Sequence, residues 1–467
     1  MVDTYLKVSG IPEHFSGEIR LPPSKSYFHR ALFVAAIAST SSRITNCGYT
    51  FSDDMNATIS ALRAFGVKIG KTRRNQGTLN ISPGNNVKKE ISLHAKGSGT
   101  TARFAISFAA LAGDNTITHL SGDDSLSKRP MQEIYEALSQ LGVRCEFEKN
   151  FGRLPMLIRG GGIRGGRCEI DGSISSQFIS SLLISCTRAQ SDCEILLKNP
   201  SKLVSKPYIE ATLKVLGHFG FDLKVISSTK FRYIGFKIKG NQKINGVHFP
   251  VPGDMSTAAA LIGAAIASKG QVKLLGINRD LPQSDSVIVP IAKRFGAGIR
   301  ESGESLSART TITRSQPASI TLNLGDSPDL VPVVVGLSAA TGLGVTISGI
   351  SHLRYKESDR LRVLSRELTK LGVKTRETTS SIRVSRDLPH AKQIRKPILL
   401  DPDRDHRMLM ALTIAGLSGR FGVVRIKDPD CVKKSYPSFV VDIQRLCHER
   451  RTLNLVKARH VGRRAGR

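Results

Sequence analysis

The chain is 467 residues long and 40% hydrophobic, with 69 Lys and Arg against 38 Asp and Glu and a formal charge of +31. That length and apolar content suit two or three globular domains with sizeable cores, and the charge points to nucleic acid, an anionic membrane or acidic small molecules as partners. No apolar run approaches the roughly 18 residues of a membrane span, the first residues hold no signal-type apolar core, and the seven scattered cysteines show no metal-ligand spacing. A cytoplasmic protein with buried thiols and no metal is expected. Neither HExxH nor a P-loop occurs, which removes two common enzyme classes.

Taken in order, the chain repeats two landmarks. The first is an amphipathic helix of about ten residues, closed by a glycine and followed by a short apolar strand. Its glycines are Gly66, Gly142, Gly220, Gly296 and Gly372, spaced 76 to 78 apart, and a sixth such helix is predicted over 437–447. The second is a helix rich in small apolar residues, beginning near Ser26, Thr100, Ser176, Ser256, Leu330 and His406. Each of these leads to a strand: 43–46, 116–119, 194–197, 272–275, 345–347 and 423–426. Two landmarks on one period mean a subdomain built six times, each copy needing neighbours to bury its faces. The linker Phe249-Pro-Val-Pro252 falls between copies three and four, and the first 20 or so residues can cross back, so two lobes of three copies with a ligand cleft between them are expected.

The small-residue helices open with Pro23-Ser-Lys-Ser26, Gly97-Ser-Gly-Thr-Thr101, Ser175-Ser-Gln177, Gly253-Asp-Met-Ser256, Pro328-Asp329 and Asp405-His-Arg407. Ser, Thr and Asp there serve as ordinary N-caps; lysine, glutamine and histidine-arginine do not. If related copies point their helix N-termini the same way, each end favours an anion by ~0.3 to 1 kcal/mol. Together with Lys25, Arg30, Arg103, Arg129, Arg360, Arg407 and Lys434 they suit a cleft for more than one phosphate or carboxylate. Gly97–Ala102 also fits the dinucleotide pattern GxGxxA, but it is one of six equivalent helix starts and the others lack those glycines.

His352-Leu-Arg-Tyr-Lys-Glu-Ser-Asp-Arg360 stands apart. Such a charged run is usually a solvated face, yet it follows an apolar strand and opens a helix marked by Leu361, Leu364, Leu368 and Leu371. Charges fixed between a strand end and a helix start read as a site for anion handling and proton transfer. Residues 448–467 hold seven Arg or Lys against one Glu and no apolar period; they read as a disordered basic tail, the one segment open to an RNA contact.

The stretches LPPSKSYFHRAL, GSGTTARF, SKRPM, DGSISSQF, LVSKPYI, PGDMSTAA, SPDLVPV, LRYKESDRL, DHRMLMAL and DCVKKSYPSF, spread over residues 5–447, together resemble the EPSP synthase (3-phosphoshikimate 1-carboxyvinyltransferase) family. The resemblance implies a two-lobed inside-out α/β barrel of six βαβαββ units, with residues 1–22 and 250–447 as lobe I, on the phosphoenolpyruvate side with the proton-transfer residues. Residues 23–249 would form lobe II, on the shikimate 3-phosphate side. It further implies a monomer that moves the enolpyruvyl group of phosphoenolpyruvate to the 5-hydroxyl of shikimate 3-phosphate, using no cofactor and no metal.

By position, Lys25, Ser26, Arg30, Ser175, Ser176, Gln177, Ser205, Tyr208, Asp329, His352 and Lys356 would hold shikimate 3-phosphate. Lys25, Gly97, Gly99, Arg129, Gln177, Arg360, Arg407 and Lys434 would hold phosphoenolpyruvate. Asp329 would accept the hydroxyl proton, Glu357 would protonate the methylene carbon, and Lys25 would assist at the phosphate oxygen. Two positions depart from the family pattern: Gly97 and His352 stand where many or some members have Asn. The related transferase acting on UDP-N-acetylglucosamine is the nearest rival. It has Lys-Asn where this chain has Lys25-Ser26 and usually a loop cysteine, absent here between Leu111 and Arg129, and it lacks the Ser175-Ser176-Gln177 triplet.

Overall fold

A computed structural model of the chain describes residues 4–10, 12, 14–72, 75–84, 88–311, 318–386, 396–448 and 452–457. The six small-residue helices are Lys25–Ile37 (α1), Gly99–Ala110 (α2), Gln177–Ser185 (α3), Met255–Ala267 (α4), Leu330–Thr341 (α5) and His406–Leu417 (α6). Each begins within one residue of the start read from the sequence.

They are apolar nearly all round, so they can only be stable enclosed. Every residue of α4 is buried. Small side chains let neighbouring helices approach closely: a Cβ at Gly336 in α5 would overlap the Ala411 carbonyl oxygen of α6. Helices α1, α2 and α3 pack on one another, as do α4, α5 and α6.

Among the described residues the strands form six four-stranded sheets with one repeated order. Glu90–His94 runs parallel to Ile117–Ser121, which pairs antiparallel with Met156–Arg159, itself antiparallel to Cys145–Phe147. In Glu90–His94 only Ile91 and Leu93 are buried, the period-two pattern of a sheet with one wet face.

Two sheets borrow a strand across the molecule. Glu18–Arg20 pairs parallel with Gln271–Leu275, and His248–Pro250 pairs parallel with Ser42–Thr45. The two crossing segments meet at a bridge between Pro23 and Gly253, with Ser24 N donating to Pro252 O at 2.7 Å and Asp254 N to Pro22 O at 2.9 Å. Apolar side chains divide accordingly into two clusters, one drawn from Leu6 to Leu21 and Met255 to Leu453, the other from Tyr27 to Val251.

The tail expected to be disordered is structured in part. Leu453–Lys457 is a strand paired antiparallel with Thr4–Val8, which on its other side pairs with Val424–Lys427. Leu453 is fully buried in the larger core. The sixth copy needs this strand after its helix Phe439–Leu446, as every earlier copy does; its short alternation was hidden by the surrounding arginines.

Candidate active site

Five of the six helix starts open on a single cleft between the two clusters. From one side come Lys25 and Ser26 at α1, Gly99 and Thr100 at α2, and Ser176 and Gln177 at α3; from the other come Asp329 before α5 and His406 at α6. The charged run breaks into a short 3-10 turn, Ser351–Tyr355, and the helix Arg360–Lys370 capped by Asp359. The loop between them projects Lys356 and Glu357 into the cleft. Ser205, in left-handed backbone at φ 56°, and Tyr208 complete the wall with Arg129 and Ser175.

Arg360 is the hub. Only 1% exposed, it donates from Nη1 to Asp329 Oδ1 at 2.8 Å, from Nη2 to Glu357 Oε2 at 2.9 Å and from Nε to Asp405 Oδ2 at 2.9 Å. Arg407 Nη2 reaches Asp329 Oδ2 at 3.1 Å, and Arg129 Nη2 stands 3.8 Å from Glu357 Oε1. Asp329 and Glu357 therefore each face two guanidiniums. Burial alone would push the Asp329 carboxyl up, but Arg407, Arg360 and Lys356 overcome it and hold it well below the ordinary range. Glu357 follows the same logic: burial raises it, and Arg129, Arg360, Lys434 and His406 bring it well below the usual value.

On the cationic side, burial lowers the Lys25 ammonium pKa, yet Asp54 and Glu357 outweigh this and raise it. Lys356 is brought down to about 8 by burial, with Arg360 adding to the fall and Asp329 opposing it. His352 is 3% exposed in the cleft wall, and neither ring nitrogen has a hydrogen-bond partner. Burial, then Lys356 and Arg360, push its pKa down to about 3, so it is a neutral ring with one donor and one acceptor to offer.

Of the residues singled out in the sequence, fourteen line this cleft. Arg30, Gly97, Arg407 and Lys434 stand behind the lining. Arg30 braces two of the lining residues from below, donating to Ser26 O at 2.8 Å, Tyr208 O at 2.9 Å and Thr212 Oγ1 at 2.8 Å. Gly97 is explained by Lys434, whose ammonium donates to Gly97 O at 2.7 Å and occupies the space a Cβ would need. Arg103, counted from the sequence among the cations of an anion cleft, and His406, at a helix start read as more than a cap, line it too, while Asp54 is a lining group not singled out from the sequence. Arg103 lies one turn beyond Gly99 and holds Gln177 Oε1 at 2.8 Å. Asp54, in the first turn of Asp53–Ala64 behind the cap Ser52, looks like any helix-start acid.

A cleft between two α/β lobes, walled by fixed guanidiniums and ammoniums around three carboxylates, defines an enzyme that works on small polyanions. Residues 10–443 match the family model described as EPSP synthase (3-phosphoshikimate 1-carboxyvinyltransferase). Among similar chains, the 3-phosphoshikimate 1-carboxyvinyltransferase of Korarchaeum cryptofilum is 34% identical over 437 residues, covering 93% of this chain and 97% of that protein. That of Methanocella arvoryzae is 37% identical over 433 residues, covering 92% and 96%. The fold is shared with EPSP synthase from Acinetobacter baumannii (TM-score 0.71, 22% identity, 97% of this chain and 100% of that one). It is shared too with the enolpyruvyl transferase NikO from Streptomyces tendae (TM-score 0.72, 16% identity, 98% and 100%). The chain belongs to the EPSP synthase family.

Proposed function

We propose that the chain transfers the enolpyruvyl group of phosphoenolpyruvate to the 5-hydroxyl of shikimate 3-phosphate and releases phosphate. The observation that carries this is the pair of carboxylates, Asp329 and Glu357, bridged by one buried arginine in a cleft that also presents Lys25. Shikimate 3-phosphate lies against Lys25, Ser26, Ser175, Ser176, Gln177, Ser205, Tyr208, Asp329, His352 and Lys356, with Arg30 bracing Ser26 and Tyr208. Phosphoenolpyruvate lies against Gly99, Arg129, Gln177 and Arg360, with Arg407 and Lys434 closing behind it through Asp329 and Gly97.

The chemistry follows from these placements. Asp329 takes the proton of the 5-hydroxyl as its oxygen bonds to the central carbon of phosphoenolpyruvate, and Glu357 gives a proton to the methylene carbon, making it a methyl. The tetrahedral adduct then breaks its bond to the phosphate oxygen, Lys25 stabilising the departing charge, and the methyl returns a proton to restore the double bond. In the free cleft both carboxyls are too firmly paired for this work. The carboxylate and phosphate of phosphoenolpyruvate compete for the same guanidiniums; drawing them off makes Asp329 a better base and lets Glu357 hold the proton it must give.

The reading includes a monomer acting on these two anions in the cytoplasm, with no nucleic-acid partner outside the basic tail. Six of the seven cysteines are buried, which supports a reducing compartment. Incubation of the purified chain with both substrates, followed by phosphate release and NMR of the carboxyvinyl ether, tests the reaction. No turnover over a range of salt and pH would overturn it.

A further inference from the structure

We infer that Asp54 is a positioning residue of the reaction, holding the two ammonium groups of Lys25 and Lys434 in place from opposite lobes; the inference rests on the reading of the cleft given above. Asp54 is 5% exposed and lines the cleft. Its Oδ2 accepts from Lys25 Nζ at 2.7 Å, and its Oδ1 stands 3.8 Å from Lys434 Nζ. Lys25 belongs to α1, and Lys434 to the 3-10 turn Pro429–Lys434 of the other lobe. One carboxylate therefore joins two cations from facing lobes, one of which, Lys25, is the group assigned above to the departing phosphate.

The surroundings hold Asp54 still. Its helix is capped by Ser52, whose side chain accepts from Met55 N. The Asp54 carbonyl accepts from the Thr101 hydroxyl at 3.4 Å. That hydroxyl is linked to Ser98 at 2.8 Å and to Thr58 at 2.7 Å, and Thr58 to His29 Nδ1 at 2.7 Å. A buried chain of four side chains thus ties Asp54 to the start of α2, where phosphoenolpyruvate is held.

A lysine ammonium on a flexible stem has no fixed direction unless something fixes it. Asp54 supplies direction and also charge. Burial favours neutral Lys25, and Arg407 adds to that; Asp54, then Glu357, keep it protonated. Lys434, His29 and His406 complete the titratable groups facing this pair, and the Lys25 backbone N–H is taken by Asp254 Oδ2 at 3.1 Å. Lys25 works as the cation, so activity falls as pH rises through its pKa. Without Asp54 that fall comes at lower pH.

The test is Asp54→Asn in the full chain, with kcat, KM and the pH profile measured against the parent, and Asp54→Glu alongside. Expected are a kcat about ten- to a hundredfold lower, little change in KM for shikimate 3-phosphate, and an alkaline limb moved down by about one to three pH units, the span an opposite charge at this distance commands. Asp54→Glu should recover part of the limb. In a Lys25→Ala background, Asp54→Asn should cost clearly less than it does in the parent, what remains being its hold on Lys434. A lowered kcat with an unmoved alkaline limb, or full additivity with Lys25→Ala, would overturn the inference and leave Asp54 a structural residue. A parent that does not turn over the two substrates would instead sink the reaction itself, a separate outcome.

Discussion

Replacing Glu357 by glutamine separates charge from shape. The substitution keeps the volume and spares the Glu357 carbonyl, which accepts from Ser125 Oγ at 3.1 Å across the cleft, so the lobes should close as before. On the mechanism proposed above, what goes is the proton for the methylene carbon. A positioned general acid is worth about 10²- to 10⁴-fold, or about 2.7 to 5.4 kcal/mol of barrier, and turnover should fall in that range. Stability should fall less: one charge-assisted bond to Arg360 is worth about 1.5 to 3 kcal/mol, and an amide oxygen can still accept there.

The pH dependence of that loss has a definite sign. Because the folded state holds Glu357 well below its ordinary value, its contribution is complete at neutral pH and disappears only as pH falls through the folded value. Denaturation curves of parent and variant should stand apart at neutral pH and converge in strong acid. Phosphoenolpyruvate should bind as well or better, since Arg129 and Arg360 lose a competitor. Phosphate release, calorimetric titration and urea melts at several pH values check the three parts. Turnover within tenfold of the parent, or a stability gap that widens in acid, would refute the reasoning.

Arg360→Lys retains the charge but not the fork; one ammonium cannot span Asp329, Glu357 and Asp405, so KM for phosphoenolpyruvate should rise about tenfold or more, and steady-state kinetics within twofold of the parent would count against the hub. Gly99→Ala places a Cβ 3.0 Å from Arg129 Nη1, and should raise KM for phosphoenolpyruvate severalfold while leaving that for shikimate 3-phosphate alone, as initial rates against each substrate will tell. Ending the chain at Cys447 removes the buried Leu453, worth about 1.5 to 3 kcal/mol, and strips one edge from Thr4–Val8. At about 2 to 4 °C per kcal/mol for a unit of this size, the melting temperature should drop by about 3 to 12 °C, and a calorimetric scan unchanged within a degree would show the last strand to be dispensable.

The sequence was most legible where a physical pattern repeats. Alanine-rich helices on one period fixed six starts, and the gathering of Lys25, Gln177, Asp329 and Glu357 at one cleft followed from that arrangement. Single residues with ordinary explanations were the hard part. Asp54 after Ser52 is what any helix start offers, and only its distance to Lys25 distinguishes it. Arg30, on the same helix as Lys25, reads as another cation for the ligand until its hydrogen bonds show it bracing Ser26 and Tyr208. Leu453 and Leu455 alternate correctly for a strand, but five residues among arginines carry too weak a signal to outweigh composition.

The strand Thr4–Val8 is made long before it is used. Its partners, Val424–Lys427 and Leu453–Lys457, lie at the far end of the chain, so at about 5 to 20 residues per second it leaves the ribosome roughly 20 to 90 seconds before either exists. The lobe drawn from Tyr27 to Val251 can close around its own core during that wait. The other lobe begins as an unpaired β edge, a surface prone to wrong partners, and finishes only when Thr4–Val8 meets Val424–Lys427 and Leu453–Lys457. Translation speed and early chaperone cover should therefore influence the yield of active protein more than the stability of either finished half would suggest.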